Sequence, residues 1–413
     1  MATGLANDVE HRTGTPAILN QVALGYSAFI DRNRAVAATR LTVFPMRPDA
    51  ALDAGQLLAA VGEVWPPTGG RVSLNIASES LLQDLLRAEP SANLMVEVPA
   101  FMAADPDHTD ALCKLHANGS TLLLKGRPLR ELPRAVLPCF KHSIIDLGED
   151  RRLLDSQAPT GVSRSIAYVQ AGVRTVVEME ASFARGAHAV LGWPIDDLVT
   201  NTGARKGSGV GAPGMQVIVE LIHRVDGEES IARLEATLKR DPPLAFKLLR
   251  YINSPAFGLR VEISSFRHAI MLLGYKRLKR WLALLLATAS KDVNLKPVMF
   301  AAVRRGLLME ELGRSSGDEE MRSEMFICGV FSLLDRMFQQ PFDDLLATIP
   351  VPERVRQTLA DGTGPYQPYM EVVRAAESES FYDFREAADR LMMGVGEINR
   401  AQLRAAMAAI ELE

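Results

Sequence analysis

The chain has 413 residues, 47% hydrophobic and 23% charged, with a formal net charge of -4. That length suits two cores better than one, and the composition is that of an ordinary globular protein rather than a disordered or fibrous one. The slightly acidic balance leaves no global electrostatic case for nucleic acid or an anionic membrane.

Residues 1–15 are polar and mixed in charge, without the apolar h-region of a signal peptide. From there to about residue 199, short β-rich runs alternate with amphipathic stretches. Strands are expected over 38–44, 71–76, 94–98, 120–124, 143–147 and 189–192. Helices are expected between them over 51–64, 79–89, 107–118 and 177–185. Strand–helix alternation repeated this often implies a parallel sheet with helices outside it, closed as a barrel.

Residues 200–214 read TNTGARKGSGVGAPG, glycine-rich and without a large apolar side chain. Such a stretch buries too little surface to order itself and is the expected linker. The strands vanish after it. Apolar residues recur at helical spacing over 216–224, 230–238, 243–252, 265–273, 275–289, 298–312, 319–337, 342–348, 352–359, 366–376 and 395–411. This half reads as an all-α bundle. The expected domains are therefore 15–199 and 215–413, joined by 200–214.

Cys113, Cys139 and Cys328 form no CxxC pair, so zinc-ribbon spacing is absent and all three are expected to be buried small hydrophobes. Their sparseness fits a reducing compartment. The apolar run 281–287 is too short to span a bilayer, so a cytoplasmic protein away from the membrane is expected. The seven histidines, His223 and His268 among them, show no HxxxH spacing. His268, set among apolar residues, is expected to be a core or rim side chain. The basic stretch Lys276-Arg277-Leu278-Lys279-Arg280-Trp281 is expected to be a solvated helix face rather than a nucleic-acid contact. No P-loop and no GxSxG elbow is present.

Around Asp241, several signals coincide. Asp241 precedes Pro242-Pro243 and is placed as an N-cap. Leu244, Phe246, Leu248, Leu249 and Ile252 then make a wide apolar helix face. Asn253-Ser254-Pro255 breaks that helix, because the residue before proline avoids the α region, and Asn253 takes a turn role. A further helix runs to Leu273-Gly274. This order and spacing closely resemble the core of HDOD domains, helical relatives of the HD phosphohydrolases. Catalytic HD relatives carry adjacent metal-binding histidine and aspartate. Residues 327–342, ICGVFSLLDRMFQQPF, place Ser332 and Leu333 there instead. A hydroxyl and an isobutyl group cannot replace imidazole and carboxylate ligands. Asp335 is left as a lone carboxylate with an expected structural role. The phrase resembles the HDOD domain of EAL–HDOD proteins in particular.

That resemblance extends into the first half. Phe29-Ile30-Asp31-Arg32-Asn33 resembles the opening of EAL–HDOD chains. EAL domains are TIM-like barrels that hydrolyse cyclic di-GMP with metal ions held at strand ends. The signature strand would be Ala38-Thr39-Arg40-Leu41-Thr42, with Arg40 where the metal-binding glutamate belongs. Asn75 and Glu97 keep the residue types of the next two ligand strands. Lys125 and Gly126 stand in place of the tandem aspartates. Asp146 survives from the lysine-x-aspartate segment, Ala171-Gly172-Val173 replaces the alanine–glutamate pair, and Leu191-Gly192-Trp193 replaces the glutamine–glycine pair.

The resemblance thus implies an N-terminal α/β TIM-like, EAL-type barrel that is degenerate, followed by a C-terminal all-α HDOD helical bundle. With Arg40 and Lys125 in the mouth, two divalent ions would be repelled, and the activated water needed for phosphodiester attack is lost. No catalytic residue, metal ligand or cofactor is therefore expected. The expected role is a regulatory scaffold that docks other signalling proteins, with a homodimer through barrel faces implied by the resemblance. Cyclic di-GMP is the alternative ligand, less favoured; its anion would be met by Arg40, Asn75, Glu97 and Lys125. A residual phosphodiesterase is less favoured still.

Overall fold

The computed structural model describes residues 17–48, 50–150, 166–197, 213–241, 244–245, 248, 253, 265–290 and 292–412. Eight strands close into a barrel: β1 (Val22–Ile30), β2 (Val36–Pro45), β3 (Val72–Ile76), β4 (Leu94–Pro99), β5 (Thr121–Lys125), β6 (Phe140–Asp146), β7 (Ala167–Val173) and β8 (Ala189–Gly192). β1 runs antiparallel to both β2 and β8, and the other pairings are parallel. Outside lie α1 (Ala54–Val64), α2 (Glu79–Leu85), α3 (Thr109–Ala117) and α4 (Val176–Ala184). Asp53, Ser78 and Thr175 cap three of these with side-chain acceptors, as short polar residues before an apolar run do.

Strand side chains alternate between faces, so every second residue of each strand points into the barrel. The lower interior is apolar: Phe29, Ala38, Met95, Leu123, Ile144, Val169, Ala171, Ala189 and Leu191 form their own buried cluster. Two residues further towards the carboxyl ends, the same faces become polar. Ala38 gives way to Arg40 and Thr42, Met95 to Glu97, Leu123 to Lys125, and on antiparallel β1, Phe29 to Ser27 and Gly25. The barrel is thus plugged with carbon at one end and with charge at the other.

The helical half comprises α5 (Pro213–Asp226), α6 (Ile231–Leu238), α7 (Phe266–Ala287), α8 (Lys296–Leu312), α9 (Glu319–Phe331), α10 (Leu334–Phe338), α11 (Phe342–Thr348), α12 (Gln367–Ser378), α13 (Phe381–Leu391) and α14 (Val395–Glu411). Asp241 accepts from the Leu244 amide, as an N-cap should. Much of the helix expected over 243–252, the Ser254-Pro255 turn and nearly all of the expected linker fall outside the described residues.

Three differences from the sequence expectations have physical causes. The two helices expected around Gly274 form one path, kinked where Gly274 takes φ 70°. The helix expected over 319–337 breaks at Ser332, whose hydroxyl donates back to the Gly329 carbonyl. β1 went unrecognised because all nine of its residues are buried, giving an apolar run without alternation. β7 and α13 were also missed. The basic stretch lies on α7, where Lys276 pairs with Glu320, Lys279 with Asp226 and Arg280 with Glu310. His268 is half-buried at the rim of the core. Cys139 and Cys328 are buried as expected, but Cys113 is only half-buried, and its sulfur lies 3.9 Å from that of Cys139. No helix among the described residues is long and apolar enough to cross a membrane.

The two halves share a buried seam along β1. From α14, the buried Asn399 donates to the carbonyls of Leu19 and Val22 and accepts from the Leu24 amide. From α8, Arg304 is fully buried, bonds Glu377 and lies over the Tyr26 ring at 4.3 Å. Tyr26 in turn stacks on Trp193, which follows β8. Gly192 permits that crossing: it has φ 141°, and a Cβ there would sit 2.1 Å from the Val173 carbonyl oxygen.

Candidate functional site at the barrel mouth

β2, β3, β4 and β5 bring Arg40, Asn75, Glu97 and Lys125 into one polar layer, the four residues that the sequence singled out. They pair with one another, Arg40 with Glu97 and Lys125 with Asn75. Arg40 Nε and Nη2 donate to the two Glu97 carboxylate oxygens at 2.9 and 2.7 Å. This is the fork-on-fork geometry that makes arginine–carboxylate pairs strong. Ser73 donates to the same carboxylate. Lys125 Nζ donates to Asn75 Oδ1 at 2.7 Å, and Asn75 Nδ2 donates to Thr42 Oγ1.

Glu379 completes the layer from the helical half. It caps α12 and descends into the barrel, where its carboxylate accepts from Ser27 at 2.9 Å, Thr42 at 2.7 Å and Arg40 at 3.1 Å. Its backbone holds φ 52°, a left-handed conformation usually left to glycine. Gly25 makes room: a Cβ there would lie 3.3 Å from the Glu379 Cα. Arg40 and Glu379 stand 339 positions apart, and no local pattern marks Glu379 as a barrel residue.

Burial alone would lower the Arg40 pKa, but Glu97 and Glu379 outweigh it and hold the guanidinium above its ordinary value. Lys125 has no carboxylate partner within bonding distance among the described residues. Burial, and then the neighbouring Arg40, lower its ammonium below the ordinary lysine value.

This layer does not fit divalent metal ions. Glu97 spends both oxygens on Arg40, Glu379 spends its own on Arg40 and two hydroxyls, and Asn75 spends its carbonyl on Lys125. A cation placed among them would face a guanidinium and an ammonium. Asp146, the retained aspartate, is exposed and accepts from the Gly148 amide instead. Among the described residues no group of three or more His, Cys, Asp or Glu side chains could hold a metal.

In the helical half, Ser332 and Leu333 line a cleft. Ser332 Oγ accepts from Arg305 Nη1 at 3.1 Å. Asp335 accepts from the Arg336 amide and pairs with its side chain. Burial raises the Asp335 carboxyl pKa despite the opposing pull of Arg336, Arg305 and Arg374. An arginine thus approaches Ser332, whose hydroxyl is engaged with it and with the Gly329 carbonyl.

A closed eight-stranded barrel with a charged mouth, joined to a helical domain, defines the class. Residues 213–338 match the HDOD domain family. The protein named YuxH, uncharacterized, from Bacillus subtilis is 28% identical over 179 residues, 42% of this chain and 43% of that protein. The match therefore spans less than half of that relative. The cyclic di-GMP phosphodiesterase CdgJ of Vibrio cholerae is 23% identical over 301 residues, 71% of this chain and 68% of that protein. Among solved structures, the EAL-like domain protein YdiV is 12% identical and covers 42% of this chain and 92% of its own, with a TM-score of 0.33. The helical half thus contains an HDOD domain, and it follows a closed eight-stranded barrel.

Proposed function

We propose that this is a non-catalytic signalling protein of a cyclic di-GMP pathway, a regulatory scaffold that works through protein–protein contacts. The observation that carries this reading is Arg40 held between Glu97 and Glu379 in the barrel mouth. Hydrolysis of a phosphodiester by a metal-dependent barrel needs carboxylates free to bind cations and a water to activate. Here the carboxylates are neutralised by arginine, and a side chain of the helical half occupies the mouth. The pathway is drawn from the name of the Vibrio relative. Partners would be other signalling proteins docking on helix faces, a second copy of the chain among them, in the cytoplasm.

A second reading has one observation in its favour. Two basic side chains, Arg40 and Lys125, already stand in the mouth beside Asn75 and Glu97, and a phosphate oxygen could replace the Glu379 carboxylate on Arg40. The protein would then bind cyclic di-GMP without cleaving it. Titration calorimetry with cyclic di-GMP in Mg²⁺ or Mn²⁺, followed by a check for cleaved nucleotide, tests both. The scaffold reading expects neither heat nor cleavage. Binding of intact nucleotide that is lost in Arg40→Ala would replace it with the effector reading. Metal-dependent cleavage by the purified chain would overturn both.

A further inference from the structure

The cleft that holds Ser332 has a volume of about 660 Å³ and opens along the seam between the barrel and the helical half. That lies within the range of small-molecule sites. Three parts of the chain build it: the segment after β7 and β8, the HDOD region, and α12 with α13. Ile195, Leu333 and Phe342 give it an apolar wall. Five arginines and six carboxylates give it charge.

Most of the wall charges are paired, with carboxylates in slight excess. Arg174 pairs with Asp196, Arg305 with Glu377, Arg336 with Asp335, and Arg390 with both Glu371 and Glu386. The remaining carboxylate, Asp383, accepts from the Ser378 hydroxyl. Arg374 is left over. It lies on α12, one turn before Ser378 on the face turned to the cleft. It is exposed there and has no hydrogen-bond or ion-pair partner within bonding distance among the described residues. A guanidinium whose fork is unanswered, set over an apolar wall, is suited to a planar or tetrahedral oxyanion.

We infer that this cleft is a binding site for a small molecule bearing one oxyanion group, phosphate or carboxylate, which Arg374 grips while Ile195, Leu333 and Phe342 receive its apolar body. The other lining charges, four arginines against six carboxylates, are acidic on balance and repel a polyanion, so the ligand carries a single anionic group seated on Arg374. Carboxylates at Glu371 and Glu386 border the same space and would accept from hydroxyl or amino groups of the ligand. Because the walls come from both halves, occupancy would stiffen the seam. The inference does not depend on whether cyclic di-GMP enters the barrel.

The test is calorimetry and thermal unfolding of the full chain with inorganic phosphate, adenosine monophosphate and acetate as separate probes, on wild type and Arg374→Met. The aliphatic replacement keeps the helix face and breaks no internal bond, so the variant should unfold at the wild-type temperature without ligand. The expected result is saturable binding of at least one probe, with a raised unfolding temperature, weakened roughly tenfold or more in the variant. Phosphate and monophosphate binding without acetate would assign a phosphate ligand, and the reverse a carboxylate. Failure of all three probes, or equal affinity in wild type and variant, would overturn the assignment.

Discussion

Glu377 and Glu379, separated by Ser378 at the end of α12, send their carboxylates into opposite halves of the molecule. Glu377 is buried and takes Arg304 and Arg305 on its two oxygens. Glu379 enters the barrel and takes Arg40, Ser27 and Thr42. The left-handed turn at Glu379 is what separates their directions. Burial works to raise the Glu377 pKa, but the two arginines win and hold it below the usual carboxylate value. Removing one partner of a buried charge group costs more than the pair contributes, because the survivor stays desolvated. Glu377→Gln leaves two buried guanidinium groups without a counter-charge, so it should lower stability by about 3–5 kcal/mol. Arg304→Met leaves Glu377 still paired with Arg305 and should cost clearly less. Urea unfolding of both variants checks this, and equal losses would refute the asymmetry.

Glu379 offers a sharper discrimination between backbone strain and side-chain bonding. Replacing a non-glycine residue in the left-handed region by glycine should recover about 1 kcal/mol. Against that, Glu379→Gly deletes three hydrogen bonds and leaves Arg40 with Glu97 alone. Hydrogen bonds to charged groups contribute about 1.5–3 kcal/mol each, so Glu379→Gly should still be destabilised, and Glu379→Ala more so by the strain it keeps. Chemical denaturation of the two variants reads the difference directly. Glycine more stable than wild type would mean that the mouth network contributes little.

The sequence carried the barrel and the helical bundle further than it carried the site. Strands such as Ala189–Gly192 and helices such as Phe342–Thr348 and Val395–Glu411 fall where periodicity placed them, because their patterns are set by one local core. β1 escaped because it is sandwiched between the barrel interior and the C-terminal helices, and burial on both faces erases alternation. Arg40, Asn75, Glu97 and Lys125 were legible as a group only through their strand positions. What closes the group was not, since Glu379 reaches Arg40 from 339 positions away. The approach of Cys113 to Cys139, 26 positions apart, was hidden because it depends on how α3 packs against the turn before β6, which no periodicity encodes.

Asn399 is a single side chain standing in for strand pairing. It satisfies the carbonyl of Leu19 just before β1, and the carbonyl of Val22 and the amide of Leu24 at its start, all of them buried. Asn399→Leu would fill the same space but leave three backbone groups without partners, at about 1–3 kcal/mol each before relaxation. A loss of several kcal/mol is expected, with hydrogen exchange at Leu24 accelerating first. Unchanged exchange at Leu24 would show that β1 is held by its neighbours alone.

His142 gives the protein a pH dependence with a defined window. Its ring stacks on His188 at 4.5 Å, near the amino-terminal ends of β6 and β8. Burial lowers its pKa to about 4, with His188, Lys141 and Arg71 adding repulsion. The unfolded chain would bind a proton at His142 near the ordinary 6.5. Between those two values the unfolded state therefore holds more protons than the folded one, and stability rises with pH. The contribution is fully present above about 6.5, is lost as pH falls towards about 4, and changes no further below that. Glu377, held below the usual carboxylate value, adds a loss that begins only near 4.5 and continues lower. The interval from 6.5 to 4.5 is therefore where His142 acts without it. His142→Phe keeps the stack and cannot titrate, so its unfolding temperature should fall less than that of wild type between pH 7 and pH 5 by scanning calorimetry. Parallel declines in the two proteins would place the acid sensitivity elsewhere.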